Sequence, residues 1–535
     1  MIKNIISILL TVIINLSISA QEIKETVQPL SKKAVKGFMY EAKKDDSGNL
    51  IITYKIPGAK KSNEIFFEEY SFDKELKFMG SKDVQENKSQ QSDYEVTTFS
   101  AYVGGSTSFD MLSMKLKFNK IVVNKTWNYE KQRYTIGKYI SNETIKPKNE
   151  NGKVYLGYAS YSSSDDKKSE LFTLAKIDAK ENTDDKFYVL RFDDNLELTE
   201  KPLDLNGSYS LVFSEQVDND DVVMVFAPNY GSVDVSKYVY FQYDIMGNLK
   251  NRIEFKSPSP ALLITGVYQK DDNIYFFGSS TKSTESYEKV FREYAPIYNP
   301  SGANQKDFKW QEASNQKMDN FHLLKFSENQ LTFASTTPVS EFKNKFKTAP
   351  NDKGATPYKG SKFFIKQFTV TPSGDYLIAG QLTSRVIGTN TIVKSFEDIV
   401  CFHFDKTGIL KAQYGIGKLN NDKKSEVFDM PQNFYLSADG KKIFWEILEV
   451  KGTKGYESFS DAYRGNVSFY PLYFPRIGSI DLESSTLSSF KIMGNQKYFL
   501  RKHFTSIYDK NEKSITYLGH DENFKTLWIG KVIVQ

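Results

Sequence analysis

An all-β chain built from repeated four-stranded antiparallel units is the fold class this sequence predicts, and three observations carry it. Tight Asp/Asn/Gly turns recur along the chain at a repeat spacing. The segments between them are short, apolar and rich in β-formers. Aromatic residues reach 14%, with 40 Phe and 33 Tyr against only four Trp, and Phe and Tyr favour strands.

Two kinds of turn alternate. The first precedes a short, very apolar strand: Asp46-Ser47-Gly48-Asn49 before Leu50, Asn149 to Gly152 before Lys153, and Asp218 to Asp221 before Val222. It returns as Asp271-Asp272-Asn273, Ser373-Gly374-Asp375, Asp439-Gly440 and Asp509 to Glu512. Asp, Asn and Gly tolerate the positive φ that a twisted two-strand connection demands. The second follows an aromatic-Asp pair, as at Phe72-Asp73, Phe192-Asp193, Tyr243-Asp244 and Phe404-Asp405, with variants at Phe326-Ser327 and Ile480-Asp481.

Counting the first turns gives units beginning near 46, 92, 149, 218, 271, 373, 439 and 509. Each reads strand A, tight turn, strand B, variable loop, strand C, tight turn, strand D. Four-stranded antiparallel units repeated in this way are the signature of a β-propeller. The expectation is a single propeller of eight blades, or seven if the degenerate unit at 92–130 is not a blade. The last unit supplies only A, B and C before Gln535. Because proteins avoid leaving a sheet edge open, Glu22 to Leu30 is expected to supply the missing D strand and close the ring. Leu436 to Ile443 (LSADGKKI) resembles the turn of TolB-type and related propeller repeats, which implies the architecture and carries no functional residue across. No kelch double Gly or WD dipeptide recurs.

The N-terminus predicts export. Met1-Ile2-Lys3 is a short basic start, Ile5 to Leu16 is mostly apolar, and Ser17 to Ala20 is a small-residue region. This reads as a signal peptide over 1–20, cleaved between Ala20 and Gln21, leaving the propeller over 21–535 with no transmembrane anchor in the mature chain. The destination is the periplasm or the cell exterior. A single Cys, Cys401, rules out an internal disulfide, which a chain of this length does not need. With abundant Lys, Asn and Ile, the composition resembles exported envelope proteins of Bacteroidota-type bacteria. The 71 basic and 66 acidic residues are interspersed, with no basic block to follow a phosphate backbone, so nucleic acid is not a predicted partner.

In such a unit the A–B and C–D turns share one end, and the B–C and D–A connections share the other. Long insertions at 281–320, 341–362 and 450–475 all fall on the second end, and long loops on a rigid scaffold usually carry binding. Candidate binding residues are Tyr287, Arg292, Tyr294, Tyr298 and Trp310 in the first insertion, and Tyr456, Tyr463, Arg464 and Tyr470 in the last. His322 and His520 fall close to B–C corners at the same end. Cys401 and His403, two apart in an apolar strand, form the one nucleophile–base suggestion; inert burial competes with it. Acidic clusters such as Asp218 to Asp221 lack the spacing of a calcium loop. The resulting expectation is a monomeric, non-catalytic binding or scaffolding propeller without cofactor or metal. It would present an aromatic-rich loop face to an envelope or extracellular protein or a glycan. The alternative is a carbohydrate-active enzyme, a glycoside hydrolase or lyase, with carboxylates at the channel mouth.

Overall fold

The computed structural model describes residues 23–534 except 58–63, 88–91, 104–113, 129–132, 146–154, 166–167, 178–185, 194–196, 218–219, 230–233, 292–316, 351, 353, 388–391, 420–424, 456–468 and 501–505; between 86 and 185 it describes only strand backbones. The fold is all-β. Two compact units divide the chain: one holds residues 1–87, 349–351 and 419–535, the other 88–348 and 352–418.

In the second unit, three strands at 92–145 precede four-stranded antiparallel sheets at 155–202, 209–256 and 262–338, then a five-stranded sheet at 346–416. Consecutive sheets pack face on face. Phe187 and Val189 of the 155–202 sheet share a core with Phe226 and Phe241 of the next. Tyr240 and Phe255 then meet Phe276 and Phe326, and Phe277 and Phe321 meet Phe402 and Phe404. The middle strand Val222–Pro228 is buried along its whole length, because it lies inside its sheet and has another sheet on each face. Sheets stacked in succession through such cores make the fold propeller-like.

The first unit repeats the pattern. The 38–87 sheet packs Ile52 and Tyr54 against Leu518, Leu527 and Ile529 of the C-terminal sheet. That sheet packs its other face on Phe444, Leu448 and Ile477. Strand Ile23–Pro29 pairs antiparallel with Thr526–Ile533 over its full seven residues, from Ile23 opposite Val532 to Pro29 opposite Thr526. The N-terminal segment therefore lies where the C-terminal sheet would otherwise expose an edge. Phe499–Leu500 pairs with both Phe469–Asp481 and Ser514–His520, so the last two sheets are continuous.

The turns explain the register. The carboxylates of Asp73, Asp193, Asp244 and Asp405 each accept the backbone N–H four residues on, at 2.8, 2.9, 2.8 and 3.0 Å. Positive φ follows at Leu76, Gly247 and Gly408. Each of these three turns leaves a one-residue shift in the adjoining C–D ladder, as between His403 and Phe404. A second bulge recurs in strand A, at Met39/Glu41, Leu211/Phe213, Ile264/Gly266 and Ile365/Gln367. Bulges of this kind sharpen strand twist, which helps twisted sheets stack.

Part of the 341–362 insertion covers a sheet edge. Helix Val339–Asn344 leads into Phe346–Thr348, which pairs parallel with the outer strand Leu410–Ile416. That strand, LKAQYGI, carries one charge and is buried almost throughout, so exposed it would invite edge pairing. Phe342 is fully buried, 4.7 Å from the ring of Phe402 and 5.0 Å from that of Tyr358. Phe342→Ala should therefore cost about 3–5 kcal/mol in denaturant unfolding and promote self-association by light scattering; wild-type values in both would remove the edge-cover role.

Candidate functional site

The 281–320 insertion grows out of the sheet at Ser280. Its first helix, Tyr287–Phe291, buries Tyr287 and Phe291 beside Tyr238, Leu262 and Met318. Tyr287 is therefore core, not binding surface: helix spacing places it on the same inward face as Phe291. Its hydroxyl is buried without a hydrogen-bond partner, and burial raises its pKa. Arg292, Tyr294, Tyr298 and Trp310 lie outside the described residues.

The described part of the 450–475 insertion is a ladder. Strands Lys442–Gly455 and Phe469–Asp481 pair continuously to Gly455 opposite Phe469, with Tyr470 opposite Lys454. Phe474 is fully buried, and the Tyr473 hydroxyl donates to the Asp429 carbonyl at 3.0 Å. Tyr456, Tyr463 and Arg464 lie outside the described residues.

The described histidines are absorbed into the sheets. His322 is 1% exposed; its Nε2 lies 2.7 Å from Ser280 Oγ and its Nδ1 3.1 Å from Thr336 Oγ1. The Ser280–His322 pair has nucleophile–base geometry. However, burial pushes the imidazole down to about 4, too weak a base to activate a hydroxyl at neutral pH. His520 is equally buried, with Nε2 2.6 Å from the Tyr54 hydroxyl. Neither histidine, as placed, offers a surface for a ligand. His503 lies outside the described residues.

His403 donates from Nε2 to Asp375 at 3.0 Å and accepts at Nδ1 from the Tyr414 hydroxyl at 3.2 Å. Lys411 adds a bond to Asp375 at 2.8 Å. Burial pushes His403 below its ordinary range, against the pull of Asp375. Burial also opposes the Asp375 charge, but the bonds from Lys411 and His403 prevail and hold its carboxyl low. One sheet type repeats this clasp: Asp221 accepts from Gln242 at 2.7 Å and Lys250 at 2.6 Å. In each sheet a carboxylate at the start of strand B ties strands C and D. Cys401 is buried, and burial raises its thiol pKa. No hydrogen bond joins it to His403; its described hydrogen bond runs to the Phe402 carbonyl.

Two acids in the apolar strand KKIFWEILEV escaped the sequence reading, although a charge inside a run this apolar was the available signal. Glu446 is fully buried. It accepts from Asn433 at 2.6 Å, from Tyr435 at 3.2 Å and from the more distant Tyr517. Burial raises its carboxyl pKa despite those donors. Glu449 pairs with Arg476, also buried. Among the described residues, no three His, Cys, Asp or Glu side chains come together as a metal site requires. No described helix is long and apolar enough to cross a membrane.

No protein-family model matches the chain, and no curated protein matches it. Solved structures align over long stretches with poor superposition. A mutant of the Synechocystis apocarotenoid oxygenase matches at 8% identity over 89% of this chain and 90% of that one, with a TM-score of 0.27. The Leishmania mexicana mannose phosphorylase MPT-4 matches at 9% identity over 61% and 84%, with a TM-score of 0.20. Pyrococcus horikoshii acylaminoacyl peptidase matches at 9% identity over 79% and 60%, again at 0.20. No assignment of family or activity follows from likenesses at this level.

Two pH effects follow, of opposite sign. His322 takes its proton at about 4 in the folded chain and near 6.5 when unfolded. The unfolded state thus binds more protons between these values, and stability present above pH 6.5 is lost as pH falls through that window, by about 3 kcal/mol. His322→Gln should abolish this part of the loss in melting curves from pH 7 to 4.5. Glu446 works the other way: its raised carboxyl favours folding below the ordinary carboxylate range, and that contribution declines as pH rises. Glu446→Gln should flatten this decline; a pH-independent loss would remove titration as the cause.

Proposed function

We propose that the chain is an exported, non-catalytic binding or scaffolding propeller that presents its loop-bearing end to a protein or a glycan. In this reading the sheets form one ring of eight blades, with seven as the alternative. Ile23–Pro29 completes the C-terminal blade and so closes the ring. Export would follow signal-peptide cleavage between Ala20 and Gln21, to the periplasm or the cell exterior.

One observation carries the reading: the described ends of both aromatic insertions are held by core packing or by a backbone ladder. Tyr287, Phe291 and Met318 hold one insertion, and the ladder between Lys442–Gly455 and Phe469–Asp481 holds the other. Between these ends the sequence places Arg292, Tyr294, Tyr298 and Trp310, and Tyr456, Tyr463 and Arg464. Tyr, Trp and Arg between held ends suit the anchoring of a polypeptide or stacking on sugar rings. The described histidines and Cys401 are meanwhile committed to the cores of the sheets.

The test is a cross-linking pull-down from the native envelope together with a glycan array. Tyr298→Ala and Tyr463→Ala should each weaken capture of the recovered partner about tenfold or more, with the melting temperature unchanged. A loss of stability on the scale of a core truncation would instead place these tyrosines among the packing residues.

A further inference from the structure

Strand Ile23–Pro29 is held in an unusual way. None of its seven residues is fully buried, and Val27 is 44% exposed. Ile23 packs, partly buried, against the core that holds Trp528 and Val532. Its attachment combines the backbone ladder to Thr526–Ile533, the carboxylate of Glu25, an ion pair from Lys24 to Glu75 and the contact of Ile23 with the core.

The groups that receive that carboxylate belong to the body of the sheet. Glu25 Oε1 accepts the Gly494 N–H at 3.0 Å, and Oε2 accepts the Trp528 indole N–H at 3.4 Å. Gly494, Asn495 and Gln496 all adopt positive φ, at 67°, 49° and 56°, a run of left-handed residues that only a built turn sustains. A side chain at Gly494 would meet Trp528 at 3.3 Å and Tyr498 at 3.3 Å. Trp528 itself is fully buried, with Tyr498 stacked on it at 6.1 Å and 2°. Glu25 lies opposite Gly530 in the ladder, where the absence of a side chain leaves room for the Trp528 ring.

We infer that the edge of Thr526–Ile533, with the Gly494 and Trp528 N–H groups, is an acceptor site for an extended peptide bearing a carboxylate, filled in cis by the chain's own N-terminus. The partner it fits is a segment of another protein that adds a strand and supplies an acid opposite Gly530. Strand addition of this kind draws affinity from main-chain bonds and specificity from one or two side chains. The cis strand competes at an effective concentration on the order of millimolar, so weakening it opens the site to a partner.

The experiment uses the full-length chain carrying Glu25→Ala and a fluorescent synthetic peptide of residues 22–31, read by anisotropy. The variant should bind the peptide at least tenfold more tightly than the wild type. A peptide with alanine in place of Glu25 should bind the variant at least tenfold more weakly than the native peptide. Equal binding of both peptides, no binding, or dimerisation of the variant in place of peptide uptake overturns the inference. Should Glu25→Ala fail to fold, refolding in the presence of each peptide decides: recovery with the native peptide alone supports the site, and no recovery, or recovery with both, overturns it.

Discussion

A four-stranded sheet has two apolar faces, and it can bury both only by lying between two others. That constraint governs this molecule more than any single contact. It explains why the middle strands are apolar on both sides, where alternation would serve a sheet with one wet face. It explains why consecutive sheets share cores built from Phe and Tyr, whose flat rings fill the space between twisted surfaces with tilted and edge-on contacts. Tyr240, for example, lies 5.6 Å from Phe276 at 73° and 5.1 Å from Phe326 at 28°. Several of the polar side chains that are buried are bound into clasps such as Asp375–His403–Lys411.

The polar groups inside the sheets therefore act mainly as fasteners. Asp221 and Asp375 sit at corresponding positions and tie corresponding strands, one through Gln242 and the other through His403. A histidine exchanged for a glutamine at the same place in a repeat is evidence of a mechanical role, since the two share hydrogen-bonding reach but not proton chemistry. Glu446 extends the theme along the continuous C-terminal sheet, because its donors come from the adjoining strand and from the more distant Tyr517.

Much of the fold was legible because turns leave a chemical signature. Asp73, Asp244 and Asp405 announce themselves by residue type, and a residue opposite a turn Asp must tolerate positive φ. The N-terminal strand was legible by subtraction, from a final unit that lacked its fourth strand. The strand-A bulges were not, because one extra residue in a strand changes no composition. Edge cover by Phe346–Thr348 was equally hidden, since a three-residue parallel pairing has no local pattern. At the candidate site, the reading of Tyr287 failed because an aromatic in a loop segment looks the same whether it faces solvent or turns inward on a five-residue helix. His322 and His520, expected close to loop corners, are buried within their strands. Glu446 and Glu25 passed unnoticed because a lone acid in a strand acquires meaning only from the groups that meet it across the chain.

The continuity of the last two sheets through Phe499–Leu500 bears on how the molecule would carry load. Strand Thr526–Ile533 is bonded on both sides, so a pull along it must break two ladders together. Strand Ile23–Pro29 is bonded on one side, so a pull away from the edge parts its bonds one after another. A tether at the N-terminus would peel under a force that one at the C-terminus would resist. The two strands, neighbours in one sheet, thus differ in mechanical strength.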